Sequence, residues 1–151
     1  MQIKGLSSVV VGGLLVTICG IAGARTIGGI AGHTIPGGTA DNCMQFEMGG
    51  VRNGCGSAQL WAIPIFMDTT AVATKSVTVT GWGSSVDKCI SIARDSWGTV
   101  TDQSVWKSFS PDAVPMNNSL SLPIIASGGS IVEVQCWLGG QAKVFRVSWA
   151  P

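Results

Sequence analysis

The sequence predicts an all-β fold: an antiparallel β-sandwich of seven to eight strands, stapled by disulfides and following an export leader. Three observations predict it. Short β-branched runs recur at roughly ten-residue spacing. Gly, Pro, Asn and Asp separate these runs, and no helical period is sustained between them. Four cysteines lie beyond an apolar N-terminal segment. Connections this short join antiparallel neighbours, because a parallel crossover takes about a dozen residues or more.

Residues 1–24 read as a signal peptide. Lys4 supplies the positive start, Leu6–Ile21 is an apolar run, and Ala22-Gly23-Ala24 fits the small-x-small rule for cleavage before Arg25. The uncharged run Gly5–Ala24 holds five glycines and meets no stop-transfer pattern, which argues against a membrane span. Cys19 invites comparison with a lipoprotein signal, but Ile18 stands where that signal needs a small residue. The predicted location is outside the cytoplasm, extracellular or periplasmic.

Cleavage removes Lys4 and leaves 127 residues with eight basic and eight acidic side chains, enough for one domain. Nucleic acid and anionic membrane surfaces call for clustered Lys and Arg, which this chain lacks, so neither is an expected partner of the mature protein. Cys43, Cys55, Cys89 and Cys136 remain after cleavage. An even count in an oxidising compartment reads as two disulfides, with three connectivities open. No pair has Cys-x2-Cys spacing and the only histidine is His33, so neither a metal nor a cofactor is expected.

Residues 25–41 read as a flexible arm, with five glycines among Arg25–Ala40. Its three isoleucines give it a second reading, as a strand added to a neighbouring subunit in a homo-oligomer. The sandwich is expected over 42–151. Cys43–Val51 is its first strand, broken late by Gly49-Gly50, and Arg52–Gly56 a turn in which Asn53-Gly54 favours positive φ. Ala58–Met67 follows, with Pro64 marking an edge or bulge. In Lys75–Trp82, Val77 and Val79 alternate with Thr78 and Thr80. In Lys88–Arg94, Ile90 and Ile92 oppose Cys89, Ser91 and Ala93. Asp95–Gly98 turns the chain, Thr99–Phe109 returns, and Ser110–Asn118 is a loop. Ser119–Ala126 precedes the strand on which the domain is organised, Ser130–Leu138. There Val132, Val134, Cys136 and Leu138 share the inward face, and Ile131, Glu133, Gln135 and Trp137 the other. In Gln141–Trp149, Lys143, Phe145, Val147 and Trp149 share a face.

No catalytic constellation stands out. A triad would need His33, in a segment read as flexible. Asp41, Glu47, Asp68, Asp87, Asp95, Asp102, Asp112 and Glu133 are scattered, mostly in turns where Asp caps its own backbone. A pair of them about 5–10 Å apart would make a hydrolase, the least favoured reading. The six tryptophans say more, since exposed Trp stacks on sugar faces or anchors protein contacts. Trp149 sits in phase with Phe145 and Val147 and reads as core. Trp82 shares a face with Thr78 and Thr80, Trp137 shares one with Glu133 and Gln135, and Trp97 lies in a turn. Trp82, Trp97 and Trp137 are therefore the candidate binding residues.

Several short motifs together resemble a group of small, uncharacterised exported bacterial proteins of myxobacterial-type secretomes. They are Cys43 leading to Gly50-Val51-Arg52-Asn53, Ile63-Pro64-Ile65, Val77–Val79, Cys89-Ile90 with Ile92 and Arg94 before Gly98–Val100, and Val134, Cys136 and Leu138. The resemblance implies an exported sandwich and brings no activity. It departs at Cys55, which precedes the second strand where the similar proteins carry a cysteine at its end, so their pairing does not transfer. From the strands themselves, Cys89–Cys136 is the favoured disulfide, leaving Cys43–Cys55. The expected function is non-catalytic binding of an extracellular glycan or protein. A self-assembling envelope or matrix component is the alternative.

Overall fold

The structure is a computed structural model that describes residues 25–35, 43–67, 72–84, 86–111, 118–127 and 129–150. The leader 1–24 and residues 36–41 of the arm lie outside them. The strands are β1 (Arg25–Gly28), β2 (His33–Thr34), β3 (Met44–Glu47), β4 (Gly50–Asn53), β5 (Gln59–Phe66), β6 (Ala73–Trp82), β7 (Lys88–Arg94), β8 (Val100–Gln103), β9 (Lys107–Ser108), β10 (Asn118–Ala126), β11 (Ile131–Leu138) and β12 (Lys143–Trp149). They form two antiparallel sheets, as predicted. Sheet A runs β10-β6-β12-β4-β3, with β1 along the second half of β12; sheet B runs β2-β5-β11-β7-β8, with β9 along the start of β7. No helix among the described residues is long and apolar enough to cross a membrane.

The core lies between the sheets. Val77, Val79, Leu120, Leu122 and Val147 of sheet A meet Trp61, Ile63, Ile65, Val132 and Val134 of sheet B, all buried. β11 is the centre of sheet B, with β5 on one side and β7 on the other. Its inward residues Val132, Val134, Cys136 and Leu138 are fully buried, and Ile131, Glu133, Gln135 and Trp137 face outward, which is the period-2 pattern of the sequence. Cys136 pairs in register with Cys89 and is bonded to it; Cys43 is bonded to Cys55.

The exposed edge of β10 is closed by side chains of sheet B. Lys107 Nζ donates to the Ser121 carbonyl at 2.6 Å, Ser91 Oγ to the Pro123 carbonyl at 3.3 Å, and Asp102 Oδ2 accepts from the Ile125 N–H at 2.6 Å. Pro123 has no N–H to offer. An edge satisfied in this way gives a stray strand little to pair with.

Four expectations need correction. The arm does not stand apart over its described part: β1 pairs with β12 and β2 with β5 of the same domain. Its glycines serve close approach there. A Cβ on Gly29 would lie 2.2 Å from the Val144 carbonyl oxygen, and one on Gly32 would lie 2.3 Å from Trp61 Nε1. Trp61 Nε1 in turn donates to the Gly29 carbonyl at 2.9 Å. Cys43–Val51 is a hairpin and not one strand, because Met48 (φ 42°) and Gly49 (φ 80°) make a tight turn with two positive φ values. Asn53 ends β4, buried, where its side chain donates to the Ser57 and Leu138 carbonyls and accepts from the Cys55 N–H. Finally, β12 carries an irregularity between Val144 and Arg146, so Val144 turns inward while Lys143 and Phe145 do not; the expected phase holds for Val147 and Trp149.

Candidate functional site: the outward face of sheet B

Strand register assembles the outward face of sheet B in rows. Leu60 of β5, Trp137 of β11 and Lys88 of β7 form one row, which Ser108 of β9 extends. Trp106, two residues before Ser108, brings its ring to this row, with Lys88 Nζ 5.2 Å from the ring centroid. Trp106 thus meets the Lys88 ammonium, and Trp137 is the register neighbour of Lys88 on β11; each indole is 42% exposed. Strands are about 4.8 Å apart, so the backbones of β9 and β11, with β7 between them, stand roughly 10 Å from each other. In the next row Gln135 lies between Ala62 and Ile90, and beyond it Glu133 lies between Pro64 and Ile92. Gln135 Nε2 donates to Glu133 Oε1. Ile90 and Ile92 are buried although they point away from the core, so the floor of this face is apolar. His33 pairs with Ala62 at its edge and is exposed.

The row is held from beneath. Cys89, one residue after Lys88, and Cys136, one residue before Trp137, join β7 to β11 on the buried side. This fixes the spacing of the side chains above. Two indole faces offer flat apolar area, and an ammonium, an amide and a carboxylate offer donors and acceptors beside them.

The three tryptophans singled out from sequence are not brought together. Trp137 is in the row just described. Trp97 sits at the tip of the β7–β8 hairpin, 90% exposed. Trp82 lies on the other sheet, in register with Lys143, and lines a cleft of about 240 Å³ with Asp87, Pro111 and Gln141. Asp87 is committed there: Oδ2 accepts from Ser84 N at 2.6 Å and Ser84 Oγ at 2.8 Å, and Oδ1 accepts from Gly139 N. It ties the β6–β7 connection to the β11–β12 turn. Trp106 was not among the sequence candidates. No local pattern marks it, because it lies in the unpaired stretch between β8 and β9.

The other described carboxylates are likewise engaged. Glu47 pairs with Arg52 and Lys143, Asp95 Oδ1 accepts from the N–H groups of Trp97 and Thr99, and Asp102 accepts from Ile125. Among the described residues no three His, Cys, Asp or Glu side chains gather as metal ligands.

No protein-family model matches the chain, and no curated protein matches it in sequence. Solved structures do. The C-terminal CBM6 of the laminarinase LamC from Zobellia galactanivorans aligns with a TM-score of 0.55 at 12% identity, over 85% of this chain and 100% of that one. The mannan-binding module of Man5C aligns with a TM-score of 0.36 at 15% identity, over 83% of this chain and 94% of that one. The first likeness shows the fold, a β-sandwich.

Proposed function

We propose that the protein is a secreted, non-catalytic module that binds a glycan across the outward face of sheet B. The observation that carries this reading is the row Trp106–Lys88–Trp137–Leu60, beside Gln135 and Glu133. A pyranose ring has an apolar C–H face, which suits an indole, and a rim of hydroxyls, which suits an amide, a carboxylate and an ammonium. The sandwich-fold neighbour is itself a carbohydrate-binding module, which supports the class. The two disulfides support an oxidising, extracytoplasmic location.

The engagement of Glu47, Asp87, Asp95 and Asp102 in ion pairs and backbone contacts weighs against the hydrolase reading. The pairing of β1 and β2 within their own domain removes the main reason to assign that segment to a neighbouring subunit.

Affinity electrophoresis or calorimetry against soluble polysaccharides tests the proposal. Saturable binding to at least one polysaccharide is expected, weakened about tenfold or more by Trp137→Ala and by Trp106→Ala, and unchanged by Trp82→Ala and Trp97→Ala. Binding that survives both sheet-B substitutions would place the site elsewhere. A panel with no binder at all would reject the glycan class.

A further inference from the structure

Among the described carboxylates, Glu133 alone has neither a cation nor a backbone N–H for a partner. Glu47 pairs with Arg52 and Lys143, and Asp87, Asp95 and Asp102 each accept from backbone N–H groups. Glu133 Oε1 accepts from Gln135 Nε2, and that is its one hydrogen bond among the described residues. The sheet around it offers no other donor. Register places Glu133 between Pro64 of β5 and Ile92 of β7, and Gln135 between Ala62 and Ile90. All four neighbours carry apolar side chains, and Ala62, Ile90 and Ile92 are buried. Glutamate is a poor strand former, and β11 is the central strand of sheet B. Nothing in the packing calls for a carboxylate here.

The hydrogen-bonding character of the pair is fixed. An ionised carboxylate only accepts, so the Gln135 group that meets it is the amide NH2. Acceptors then remain at Glu133 Oε2 and Gln135 Oε1, with one further N–H at Gln135 Nε2. Both side chains are half-buried, so these groups face outward over an apolar floor. Two acceptors side by side match two adjacent hydroxyls of a sugar ring. A hydroxyl that donates to a carboxylate makes a bond roughly twice as strong as a neutral one. A carboxylate or sulfate on the ring brings no such donor and is repelled.

The cations of this face do not neutralise Glu133. Lys88 is two rows away along the strands, about 14 Å, with its ammonium over the Trp106 ring. Arg94 lies one row to the other side, in register with Ile131, and donates to the Gly98 carbonyl of the β7–β8 hairpin. His33 stands at the sheet edge, with Ala62 between it and Gln135. A polymer with an anionic group on every ring cannot lie along this face without bringing one to Glu133.

We propose that the Glu133–Gln135 pair sets the ligand class of the face: it selects uncharged glycans with adjacent free hydroxyls and excludes polymers bearing carboxylate or sulfate groups. This rests on the glycan reading above and adds to it the residue that discriminates. Trp137 and Trp106 offer stacking area to any sugar chain, whereas Glu133 separates one chain from another.

Affinity electrophoresis of the exported protein at neutral pH and low salt tests it. The neutral probes are soluble mannan, xylan and mixed-linkage β-glucan; the anionic ones are polygalacturonate, alginate and carrageenan. The wild type should bind a neutral polymer about tenfold or more tighter than any anionic one. Glu133→Gln keeps the size of the side chain and removes its charge. It should weaken the neutral ligand about tenfold and strengthen binding of an anionic polymer, with the melting curve unchanged. These opposite shifts distinguish discrimination from a structural role, which would lower both. A wild type that binds anionic polymers as well as neutral ones overturns the proposal and leaves the glycan reading standing. So does a Glu133→Gln variant that lowers both or changes neither. Retention by none of the polymers rejects the glycan reading and this proposal with it.

Discussion

On the outward face of sheet A, Ser76 Oγ meets Ser121 Oγ at 2.8 Å, Thr80 Oγ1 meets Ser119 Oγ at 3.3 Å, and Glu47 bridges Arg52 and Lys143. On the outward face of sheet B, Ile90 and Ile92 are buried, and Trp137 and Trp106 lie at the neighbouring Lys88 row. Both sheets turn one side to the same core, so packing between them explains neither outward face. Sheet A resolves its outer side as hydroxyl pairs and ion pairs that water can replace at little cost. Sheet B keeps apolar area there that its own fold does not need to cover. The difference is what favours sheet B for the proposed binding face.

The disulfides sharpen the contrast most. Cys89–Cys136 closes 47 residues directly beneath the Trp137–Lys88 row, and Cys43–Cys55 closes 12 residues beside sheet A. On loop-entropy grounds the first contributes about 4 kcal/mol and the second about 3 kcal/mol. Replacing both cysteines of each pair by alanine and comparing denaturant midpoints checks the order. The sheet-B pair should also weaken ligand binding beyond its effect on stability, because it spaces the residues above. Equal losses and unchanged binding in both variants would make the bridges simple staples.

Single outward residues come next. Ile92→Ala should cost about 2–3 kcal/mol, because a buried side chain is lost without collapse of the surrounding strands. Thr78→Ala, at an outward position of sheet A, should stay within about 0.5 kcal/mol. A cost at Thr78 as large as at Ile92 would mean that the two faces are packed alike.

The strand pattern itself was legible wherever period 2 ran without interruption. In β11 the apolar and polar sets fall on the faces their alternation implies, and Val77 and Val79 are buried as their alternation with threonine implies. Legibility failed where a backbone event shifted the phase. Met48 carries no turn signal, yet it takes positive φ; the irregularity in β12 exchanges Phe145 for Val144; and Gly29 and Gly32 read as looseness when they are sites of contact. The candidate surface suffered for a different reason. Trp82 and Trp137 are candidates by local phase and Trp97 by its place in a turn, and phase separates the two sides of a strand without saying which sheet the strand joins. Trp106 becomes a neighbour of Lys88 only through the β7–β9 pairing, which no local pattern carries.

Binding energetics test the comparison on its functional side. Trp137→Ala should weaken binding to the cognate polysaccharide by about 2 kcal/mol, near thirtyfold, the loss of one buried indole contact. Trp82→Ala, in register with Lys143 on sheet A, should leave it unchanged. Parallel titrations of the two variants read both values; a loss confined to Trp82→Ala would exchange the roles of the two faces.

The smallest effect belongs to sheet A. Lys143 Nζ donates to Glu47 Oε2 at 2.7 Å, and this bond, aided by the charges of Arg52 and Lys143, holds the Glu47 carboxyl below its ordinary 4.5 against a desolvation that raises it. A lowered folded-state pKa favours the folded protein when the group is ionised. The contribution is therefore present above about pH 4.5 and is lost as pH falls through the lowered value. The pair is partly exposed, so added salt screens it. Urea midpoints measured from neutral pH down into the acid range should fall less steeply for Glu47→Gln than for the wild type, and the gap between the two should narrow in high salt. Superimposable curves would show that the ion pairs of this face add nothing to the fold.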